Sequence, residues 1–405
     1  MPPPVPIVKG WGSLLFAEDG SSYIDAISSW WVNLHGHAHP YIAEKIYQQA
    51  LQLEQVIFAG FTHEPAVKLA ERLLPILPGN FSKIFYSDNG STATEVALKM
   101  CIQYWWNRDQ KQRKKILAFT NAYHGDTFGA MSVSDRSVFT LAFHDLLFEV
   151  VFIDTPATNN IHELKAIIQK QGADIAAFIY EPLVQGAGGM KMYAASLMNE
   201  LLETVKQAGI LCIADEVMTG FGRTAQLFAS EYIDEKPDII CLSKGLTGGT
   251  MAMGITACTD KIYQAYVDDD AYKTFFHGHS FTANPLACGA ALASLDLLQK
   301  ESCLQKIQWI ATSNKKFVSQ LETGEWNIKG LRILGTLIAF EIAEGKDGYL
   351  NNISSVITRL AMQQGVYIRP LGNTVYIMPP YCITEQELQK VYDVILDILN
   401  QLKNG

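Results

Sequence analysis

Short apolar runs recur through the first two thirds of the chain, each bounded by polar or turn-forming residues. Seven of these runs have the length and the unbroken hydrophobicity that are typical of strands buried on both faces. The runs cover residues 83–87, 115–120, 149–154, 175–180, 210–215, 238–242 and 254–258. We therefore predict that these segments form one buried sheet.

Amphipathic stretches lie between several of the apolar runs. Residues 92–106, 161–171 and 194–207 show the spacing of helices with one apolar face. Strand–helix alternation of this kind is typical of an α/β fold, in which a mostly parallel sheet is covered by helices on both faces.

The pattern changes after about residue 300. A helix is predicted over residues 304–321, with short strands around 332–342 and 374–378. Further helices are predicted around 354–364 and 384–402, which completes a smaller α+β unit. Because 405 residues exceed one ordinary domain, we expect one large and one small domain.

Composition and charge restrict the class of protein. A hydrophobic content of 48% with 18% charged residues is typical of a soluble globular protein, and no apolar run is long enough to span a bilayer. The N-terminus lacks the features of a signal peptide, and seven scattered cysteines indicate a reducing compartment. A net charge of −9 disfavours nucleic acid and anionic membranes as partners. We therefore expect a cytoplasmic protein.

Asp215 ends one of the predicted strands, where ligands of open parallel sheets bind. A buried carboxylate there is costly unless a cation or a strong donor meets it. A protonated pyridine nitrogen is such a partner, because the carboxylate keeps the ring protonated and able to act as an electron sink. A helix cap or a structural salt bridge explains the residue equally well when it is taken alone.

Lys244 follows another apolar strand and precedes the glycine-rich residues 245–254. A desolvated lysine loses its proton readily and can form a Schiff base with a carbonyl group. A solvated strand-end lysine is the commoner outcome for any single residue of this kind. An aspartate and a lysine at two successive strand ends are much more specific than either residue alone.

Residues 86–95 (YSDNGSTATE) open the helix that follows the first predicted strand. The glycine and hydroxyl residues at 90–92 offer backbone N–H groups, Oγ donors and the positive end of the helix dipole to an anion. A capping box with Ser91 or Thr92 as the cap and Glu95 in the first turn uses the same geometry. The two interpretations are compatible.

Tyr123 follows the second predicted strand, within residues 123–126 (YHGD). An aromatic residue at this position can stack on a pyridine ring, which buries apolar area and fixes the tilt of the ring. The motif carries little weight in isolation.

Two further motifs have weaker claims to function. Residues 220–225 (GFGRTA) fit the dinucleotide fingerprint GxGxxA, but no clear amphipathic helix follows them. Residues 35–39 (HGHAH) suggest a metal site, yet no cysteine or carboxylate stands at ligand spacing, and Pro40 opens a helix. We interpret the histidine motif as a turn and predict no metal.

Taken in order, the motifs of this chain resemble those of the class III aminotransferases over essentially its whole length. They are residues 28–37 (SSWWVNLHGH), 87–91 (SDNGS), 123–126 (YHGD), 214–224 (ADEVMTGFGRT), 243–245 (SKG), 277–287 (HGHSFTANPLA) and 369–380 (RPLGNTVYIMPP). The resemblance implies the fold of pyridoxal-phosphate (PLP)-dependent transferases, similar to aspartate aminotransferase. It also implies a homodimer, with a large domain over 28–300 and a small domain formed by 1–27 and 301–405.

The resemblance implies roles for individual residues. The expected cofactor-binding residues are Gly90, Ser91, Tyr123, Asp215, Lys244 and, from the second subunit, Ser280. Lys244, Asp215 and Tyr123 would be catalytic, with Lys244 as Schiff-base lysine and proton shuttle, Asp215 on the pyridine nitrogen and Tyr123 stacked on the ring. The expected substrate-binding residues are Trp30, Trp31, Arg223, Gly278, Arg369 and Tyr376.

Within the class, the SSWW and RP…YIMPP motifs resemble members that transfer an amino group from S-adenosylmethionine to 8-amino-7-oxononanoate in biotin synthesis. Trp30 and Trp31 would wall the substrate channel, Arg369 would pair with the substrate carboxylate, and Arg223 would shape the site or meet a second carboxylate. Relatives usually begin with a His-Pro-Tyr/Phe-Thr segment, and this chain starts just after it. We expect this difference to affect substrate affinity rather than cofactor binding.

Other activities remain open at this point. A class III enzyme that acts on ω-amino acids, ornithine, 4-aminobutyrate or lysine would share most of these motifs. A PLP-dependent mutase or racemase of the same fold is a second alternative, and a binding protein that has lost the lysine chemistry is a third. An amino-donor assay and the absorbance of the bound cofactor distinguish them.

Overall fold

The computed structural model describes residues 4–138, 140–343 and 351–404. In these ranges the strands are β1 Ile7–Trp11, β2 Leu14–Ala17, β3 Ser22–Asp25, β4 Phe81–Ser87, β5 Lys115–Phe119, β6 Val150–Ile153, β7 Ile175–Tyr180, β8 Val184–Gln185, β9 Lys191–Met192, β10 Leu211–Asp215, β11 Ile239–Leu242, β12 Gly254–Thr259, β13 Ile328–Leu334, β14 Leu337–Ile342, β15 Val366–Tyr367 and β16 Thr374–Ile377. The α-helices are α1 Ser28–Trp31, α2 Pro40–Ala50, α3 Glu64–Leu73, α4 Gly90–Asn107, α5 Phe128–Val133, α6 Ile161–Gln171, α7 Ala195–Gln207, α8 Asp260–Gln264, α9 Pro285–Leu298, α10 Glu301–Thr323, α11 Ile353–Gln363 and α12 Glu385–Asn404.

The seven predicted strands form one sheet, in the order β4-β12-β11-β10-β7-β5-β6. Neighbouring strands from β11 to β6 are parallel, which confirms the predicted mostly parallel α/β sheet. The carboxyl ends of these strands therefore meet along one edge, where a ligand site is expected.

β12 is the exception, because it runs antiparallel to both of its neighbours, β11 and β4. A parallel return requires a crossover of a dozen or more residues, usually with a helix. The connection from β11 to β12 contains only a short 3-10 helix at Lys244–Thr247 and a glycine-containing loop. It is therefore too compact for a crossover, and it holds the predicted Schiff-base lysine at the edge of the sheet.

Helices cover both faces of this sheet, because successive strand residues point to opposite sides. One face packs on α4, with Ile116 and Ala118 of β5 in the same buried cluster as Val96 and Ala97 of the helix. On the opposite face, residues such as Phe119 share the main core with α6 and α7. The sheet is thus buried on both sides, as its continuous apolar strands predict.

Three smaller sheets lie outside the central one in the described part of the chain, and the smallest is the β8-β9 pair. The first has the order β1-β2-β3-β15, and its β3–β15 pair joins Ile24 to Val366 in parallel. The second has the order β13-β14-β16 and contains the strands predicted around 332–342 and 374–378. The three N-terminal strands were missed from the sequence because they are short and only partly buried. The domain boundaries at 27/28 and 300/301 stay a prediction.

Some helices were also missed from the sequence. α3 and α9 were not predicted, and α9 has little amphipathic pattern because most of its residues are buried. In the part of the chain that the structure describes, no helix is long and apolar enough to cross a membrane. All seven cysteines are free thiols.

Candidate active site

A cavity of about 420 Å³ opens at the carboxyl edge of the parallel strands. This volume lies within the roughly 300–1,000 Å³ that is usual for small-molecule sites. The cavity brings together six of the residues predicted for the site. They are Trp31, Gly90, Ser91, Tyr123, Asp215 and Lys244.

Asp215 ends β10 and is only 5% exposed. One of its carboxylate oxygens accepts a hydrogen bond from the Val217 N–H at 3.0 Å, and the other lies 2.7 Å from Nδ1 of His124. Nε2 of His124 is buried without a hydrogen-bond partner among the described residues. The pair forms a buried acceptor at the bottom of the cavity. His124 was quoted within the YHGD motif but given no role.

Lys244 begins the short helix after β11 and has a positive φ of 44°, an uncommon backbone conformation for a lysine. Its Nζ lies 4.6 Å from the centre of the Trp31 ring. Burial lowers the pKa of Lys244, and the nearby charges of Asp215 and Glu181 only partly offset this effect. The side chain is therefore an amine that gives up its proton more readily than an exposed lysine.

Glu181 lines the same cavity and was missed from the sequence. Its carboxylate accepts hydrogen bonds from the Gly186 N–H at 2.8 Å and from the Tyr123 N–H at 3.2 Å. Burial raises the pKa of Glu181 to about 7, with His124 opposing the change and the charge of Asp215 adding to it. The signal was available, because Glu181 directly follows the apolar strand β7.

The N-terminus of α4 forms another part of the cavity wall. Asn89 caps it in a capping box with Thr92, so the cap lies just outside the residues we had predicted. Ser91 Oγ accepts a hydrogen bond from the Asp126 N–H at 3.2 Å. A Cβ atom at Gly90 would lie only 2.9 Å from a methyl group of Val217, so glycine allows the start of α4 to pack closely on this residue. A helix N-terminus that lines a cavity suits a phosphate group.

Tyr123 lines the cavity from the loop after β5 and belongs to no helix or strand. Its hydroxyl group donates a hydrogen bond to Asp126 at 2.8 Å. Burial raises the pKa of Tyr123, with the hydrogen bond to Asp126 adding to the effect. The ring is therefore neutral and anchored at its polar end, as a stacking surface requires.

Trp30 and Trp31 lie in α1, which is a single left-handed turn. The φ angles of its four residues are 53°, 45°, 70° and 74°, although none of the four is glycine. This conformation costs non-glycine residues roughly 1–2 kcal/mol each, so tertiary contacts must hold it. Trp31 lines the cavity, and the edge of its ring packs on Tyr376 at a centroid distance of 6.1 Å.

Trp30 and Arg369 form a second, outer group. Trp30 is 49% exposed, and the guanidinium carbon of Arg369 lies 4.3 Å from the centre of its ring. Neither residue is among those that line the described cavity. The structure therefore places the two indoles at different depths, one beside Lys244 and one beside the predicted carboxylate-binding arginine.

Arg223 requires a correction. Its side chain is fully buried, and its guanidinium group donates to the backbone carbonyls of Trp31, Asn33 and Pro379 at 3.0–3.2 Å. It faces backbone and does not line the described cavity. Our expectation that it shapes the site has a physical basis here, whereas the expected contact with a second carboxylate has none.

Gly278 and Ser280 lie apart from the cavity, in an exposed loop before α9. The backbone carbonyl of Ser280 accepts a hydrogen bond from Gln55 at 2.8 Å. The resemblance places Ser280 in the site of a second subunit, and this role stays a prediction.

The two weaker motifs have other uses in the structure. The segment 220–225 forms turns, and no α-helix opens from it, so it is not a dinucleotide-binding loop. His35 bonds Ser294 at 3.1 Å, and His37 bonds Asp25 at 2.9 Å. Each of these two histidines therefore has its own structural partner, which agrees with a turn.

The fold and this cavity define a class of protein. The model of the family "Aminotransferase class-III" matches residues 1–399, and the chain belongs to this family. It is an aminotransferase.

Individual relatives narrow the comparison further. The chain is 48% identical to the adenosylmethionine-8-amino-7-oxononanoate aminotransferase of Synechococcus elongatus, over 99% of this chain and 96% of the relative. It is 38% identical to the enzyme of the same name from Helicobacter pylori, over 100% and 94% of the two chains.

Solved structures agree with these relatives. The structure of the adenosylmethionine-8-amino-7-oxononanoate aminotransferase of Methanocaldococcus jannaschii matches with a TM-score of 0.94 and 33% identity, over 98% of this chain and 93% of that one. A PLP-bound amine transaminase from an uncultivated Pseudomonas species matches with a TM-score of 0.93 and 29% identity, over 98% and 95%. The predicted transferase fold is confirmed.

Proposed function

We propose that this aminotransferase binds PLP in the 420 Å³ cavity and transfers the amino group of S-adenosylmethionine to 8-amino-7-oxononanoate. The products are the keto form of the donor and 7,8-diaminononanoate, an intermediate of biotin synthesis. The observation that carries this proposal is the meeting of Lys244, Asp215 and Trp31 in one cavity, in a chain that is 48% identical to a relative with this named activity.

The residues that line the cavity fit PLP group by group. Asp215 is a buried acceptor for a protonated ring nitrogen, and the N-terminus of α4 at Gly90 and Ser91 suits the phosphate. Tyr123 offers a neutral aromatic face. When bound, the cofactor supplies an electron sink for the carbon next to the transferred amine.

Lys244 carries the proton transfers in this proposal. Because burial lowers its pKa, its amine is available as a base closer to neutral pH than an exposed lysine. Its Nζ would remove the proton from the carbon that bears the donor's amino group, and would hold this proton until the amino group has been transferred from that carbon. Trp31, whose ring lies 4.6 Å from Nζ, shields this amine from water.

The outer group selects the substrate. 8-Amino-7-oxononanoate is a long apolar chain that ends in a carboxylate. Trp30 and Trp31 offer the apolar surface for the chain, and the exposed guanidinium group of Arg369 suits its carboxylate. Tyr376, also predicted to bind substrate, is buried and does not line the described cavity, so it supports Trp31 from behind instead. Gly278 of the partner subunit would complete the channel.

The proposed dimer rests on the exposed apolar surface, and the proposed cytoplasmic location rests on the free cysteines. Large apolar side chains are exposed on residues 272–281 and 57–61, as expected for a surface that a second copy covers. We place the reaction in the cytoplasm, where free thiols persist. The large domain is taken as residues 28–300 and the small domain as the two terminal segments.

A half-reaction tests the function. The PLP-loaded enzyme is mixed with S-adenosylmethionine without an acceptor, and we expect the absorbance of the lysine-bound cofactor to disappear. Addition of 8-amino-7-oxononanoate should restore it, with diaminononanoate formed in equal amount. The Lys244→Ala variant is the matched control and should show neither the absorbance nor its loss.

The same assay separates the alternatives. Transfer from 4-aminobutyrate, ornithine or alanine, with none from S-adenosylmethionine, would refute the proposed donor. Transfer from lysine alone would support 8-amino-7-oxononanoate as the acceptor but would identify lysine as the donor.

A further inference from the structure

The left-handed turn α1 is anchored by a residue that has no role in the function proposed above. The turn places two consecutive indoles at different depths, and its four positive φ angles require support from outside the turn. The support converges on Asp25, the last residue of β3, whose side chain is not exposed.

Four donors meet the carboxylate of Asp25. One oxygen accepts the Ser29 N–H at 3.0 Å and the Ile27 N–H at 3.3 Å. The other accepts the Ser29 hydroxyl at 2.7 Å and lies 2.9 Å from Nε2 of His37. Although burial raises the pKa of Asp25, the hydrogen bonds from His37 and Ser29 outweigh it and bring this pKa below the ordinary value. The carboxylate is therefore charged, and both of its oxygens accept hydrogen bonds from the turn, the residue before it and His37.

The hydrogen bonds of His37 fix which of its nitrogens donates. The side-chain oxygen of Asn33 accepts the Gly36 N–H at 2.8 Å, so the amide nitrogen of Asn33 is the atom that lies 3.0 Å from Nδ1 of His37. Nδ1 must then accept, and Nε2 carries the proton that is donated to Asp25. This is the middle histidine of the HGHAH motif, for which the sequence suggested only a turn.

The opposite side of the turn is held by separate contacts. Ser28 donates its hydroxyl to the Met378 carbonyl at 2.7 Å, and buried Arg223 donates to the carbonyls of Trp31 and Asn33. The Ser28 contact holds the first residue of the turn and the Arg223 contacts hold its end, whereas Asp25 holds Ser29, the second residue, between them. Loss of Asp25 therefore releases Ser29 and leaves both ends of the turn attached.

We propose that Asp25, oriented by His37, is a positioning residue that sets the depth of Trp30 and Trp31 relative to Lys244 and Arg369, and so selects long-chain substrates. The inference rests on the proposed function, because it assigns the selectivity of the same site. Asp25 is not expected to touch the cofactor or the substrate.

Asp25→Asn is the central variant. Its amide nitrogen would face the N–H of His37, because Asn33 prevents His37 from switching tautomer. Ser29 is therefore released from its anchor with little change in side-chain volume. We expect the KM for 8-amino-7-oxononanoate to rise at least tenfold, with kcat within about threefold of the wild type. PLP affinity and the thermal midpoint should change little.

Two milder variants and a matched control accompany it. Ser29→Ala and His37→Gln each remove or weaken one of the four donors, and we expect a threefold to tenfold rise in the same KM. Asp19→Asn removes a carboxylate that caps Ser21 in an exposed turn before β3, and it should leave every measured quantity unchanged. A crystal structure of the Asp25→Asn enzyme should show that φ of Ser29 and Trp30 has left the left-handed region.

The outcomes separate the inference from the proposed function. If the wild type rejects S-adenosylmethionine, the proposed function fails, and the φ angles of the variant still decide whether Asp25 holds the turn. An unchanged turn, or an unchanged KM in all three variants, would overturn the inference. A parallel loss of PLP affinity and thermal stability in Ser29→Ala would also overturn it, because the network would then support the fold as a whole.

Discussion

Three ionisable residues of the site each stand at the end of a strand. Asp215 ends β10, Lys244 follows β11, and Glu181 follows β7, so three ionisable side chains share a cavity because the parallel strands that precede them are neighbours. The cavity alters them differently, since it lowers the pKa of the lysine and raises that of the glutamate. Both changes favour the uncharged form, as burial requires.

Glu181 yields a pH-dependent prediction. With a pKa of about 7 in the fold and an ordinary value of 4.5, the folded protein binds more protons than the unfolded chain between these values. Stability therefore falls as pH rises from about 4.5 to about 7, by about 3 kcal/mol in total. In Glu181→Gln this loss is absent. In urea unfolding without added cofactor, the free energy of unfolding of the variant should therefore rise relative to that of the wild type between pH 5 and pH 8.

Glu18→Gln, a change at an exposed glutamate, is the control and should parallel the wild type. If the stability difference between Glu181→Gln and the wild type is the same at both pH values, the raised pKa is wrong.

At the scale of elements, the cavity depends on the close approach of the start of β12 to the N-terminus of α4. Gly254 begins β12, and a Cβ atom there would lie 2.1 Å from the Asn89 carbonyl oxygen. The antiparallel direction of β12 brings this glycine to the same edge as the carboxyl ends of its neighbours. The start of a strand and the start of a helix thus form one wall of the cavity, where Asn89 and Met253 line it.

Gly254→Ala should displace that wall, because the atom it would meet is backbone and cannot rotate away. We expect a destabilisation of about 1–3 kcal/mol from overpacking and at least a tenfold loss of PLP affinity. A PLP titration followed by absorbance, together with thermal unfolding, measures both effects.

Gly289→Ala in α9 is the matched control, since its Cβ would make an ordinary contact of 3.5 Å with Gln49. It should be neutral or stabilising by about 0.5–1 kcal/mol, because alanine favours a helix over glycine. Equal effects of the two variants would show that crowding at Asn89 is not important.

At the scale of the whole molecule, the proposed dimer is motivated by an exposed aromatic surface. Tyr272 is 81% exposed, Phe276 is 76% exposed and Phe281 is 62% exposed, all on the loop that carries Gly278 and Ser280. Several exposed aromatic residues on one connecting segment favour an interaction surface over an ordinary solvent-facing loop. Gly278 and Ser280 therefore lie on the surface where, in the proposed dimer, a partner would bring them to its own site.

Light scattering should give twice the mass of one chain at micromolar concentration. Phe276→Asp should shift the enzyme toward the monomer and lower PLP affinity at least tenfold, because a charge on the interface is costly and Ser280 of the partner would be lost. Leu304→Asp, an exposed position on α10, is the control and should leave the dimer intact. A monomeric wild type, or an unchanged Phe276→Asp dimer, would contradict the proposed assembly.

The sequence by itself determined the central sheet, the strand-end pair Asp215 and Lys244, the presence of α4 after β4 (though not its cap) and the family. These features depend on local patterns, because buried strands and helix starts are specified by neighbouring residues and the carboxyl edge of a parallel sheet is a general place for ligands. Glu181 obeyed the same rule and was nevertheless missed.

Only the tertiary structure decided the rest. The direction of β12, the pairing of β3 with β15 and the buried role of Arg223 depend on contacts between distant parts of the chain. The left-handed turn is the extreme case, because its residues do not favour this conformation and Ser28 is held by Met378, 350 positions away. No local pattern encodes such a contact, and the positions of Trp30 and Trp31 therefore became visible only in the folded chain.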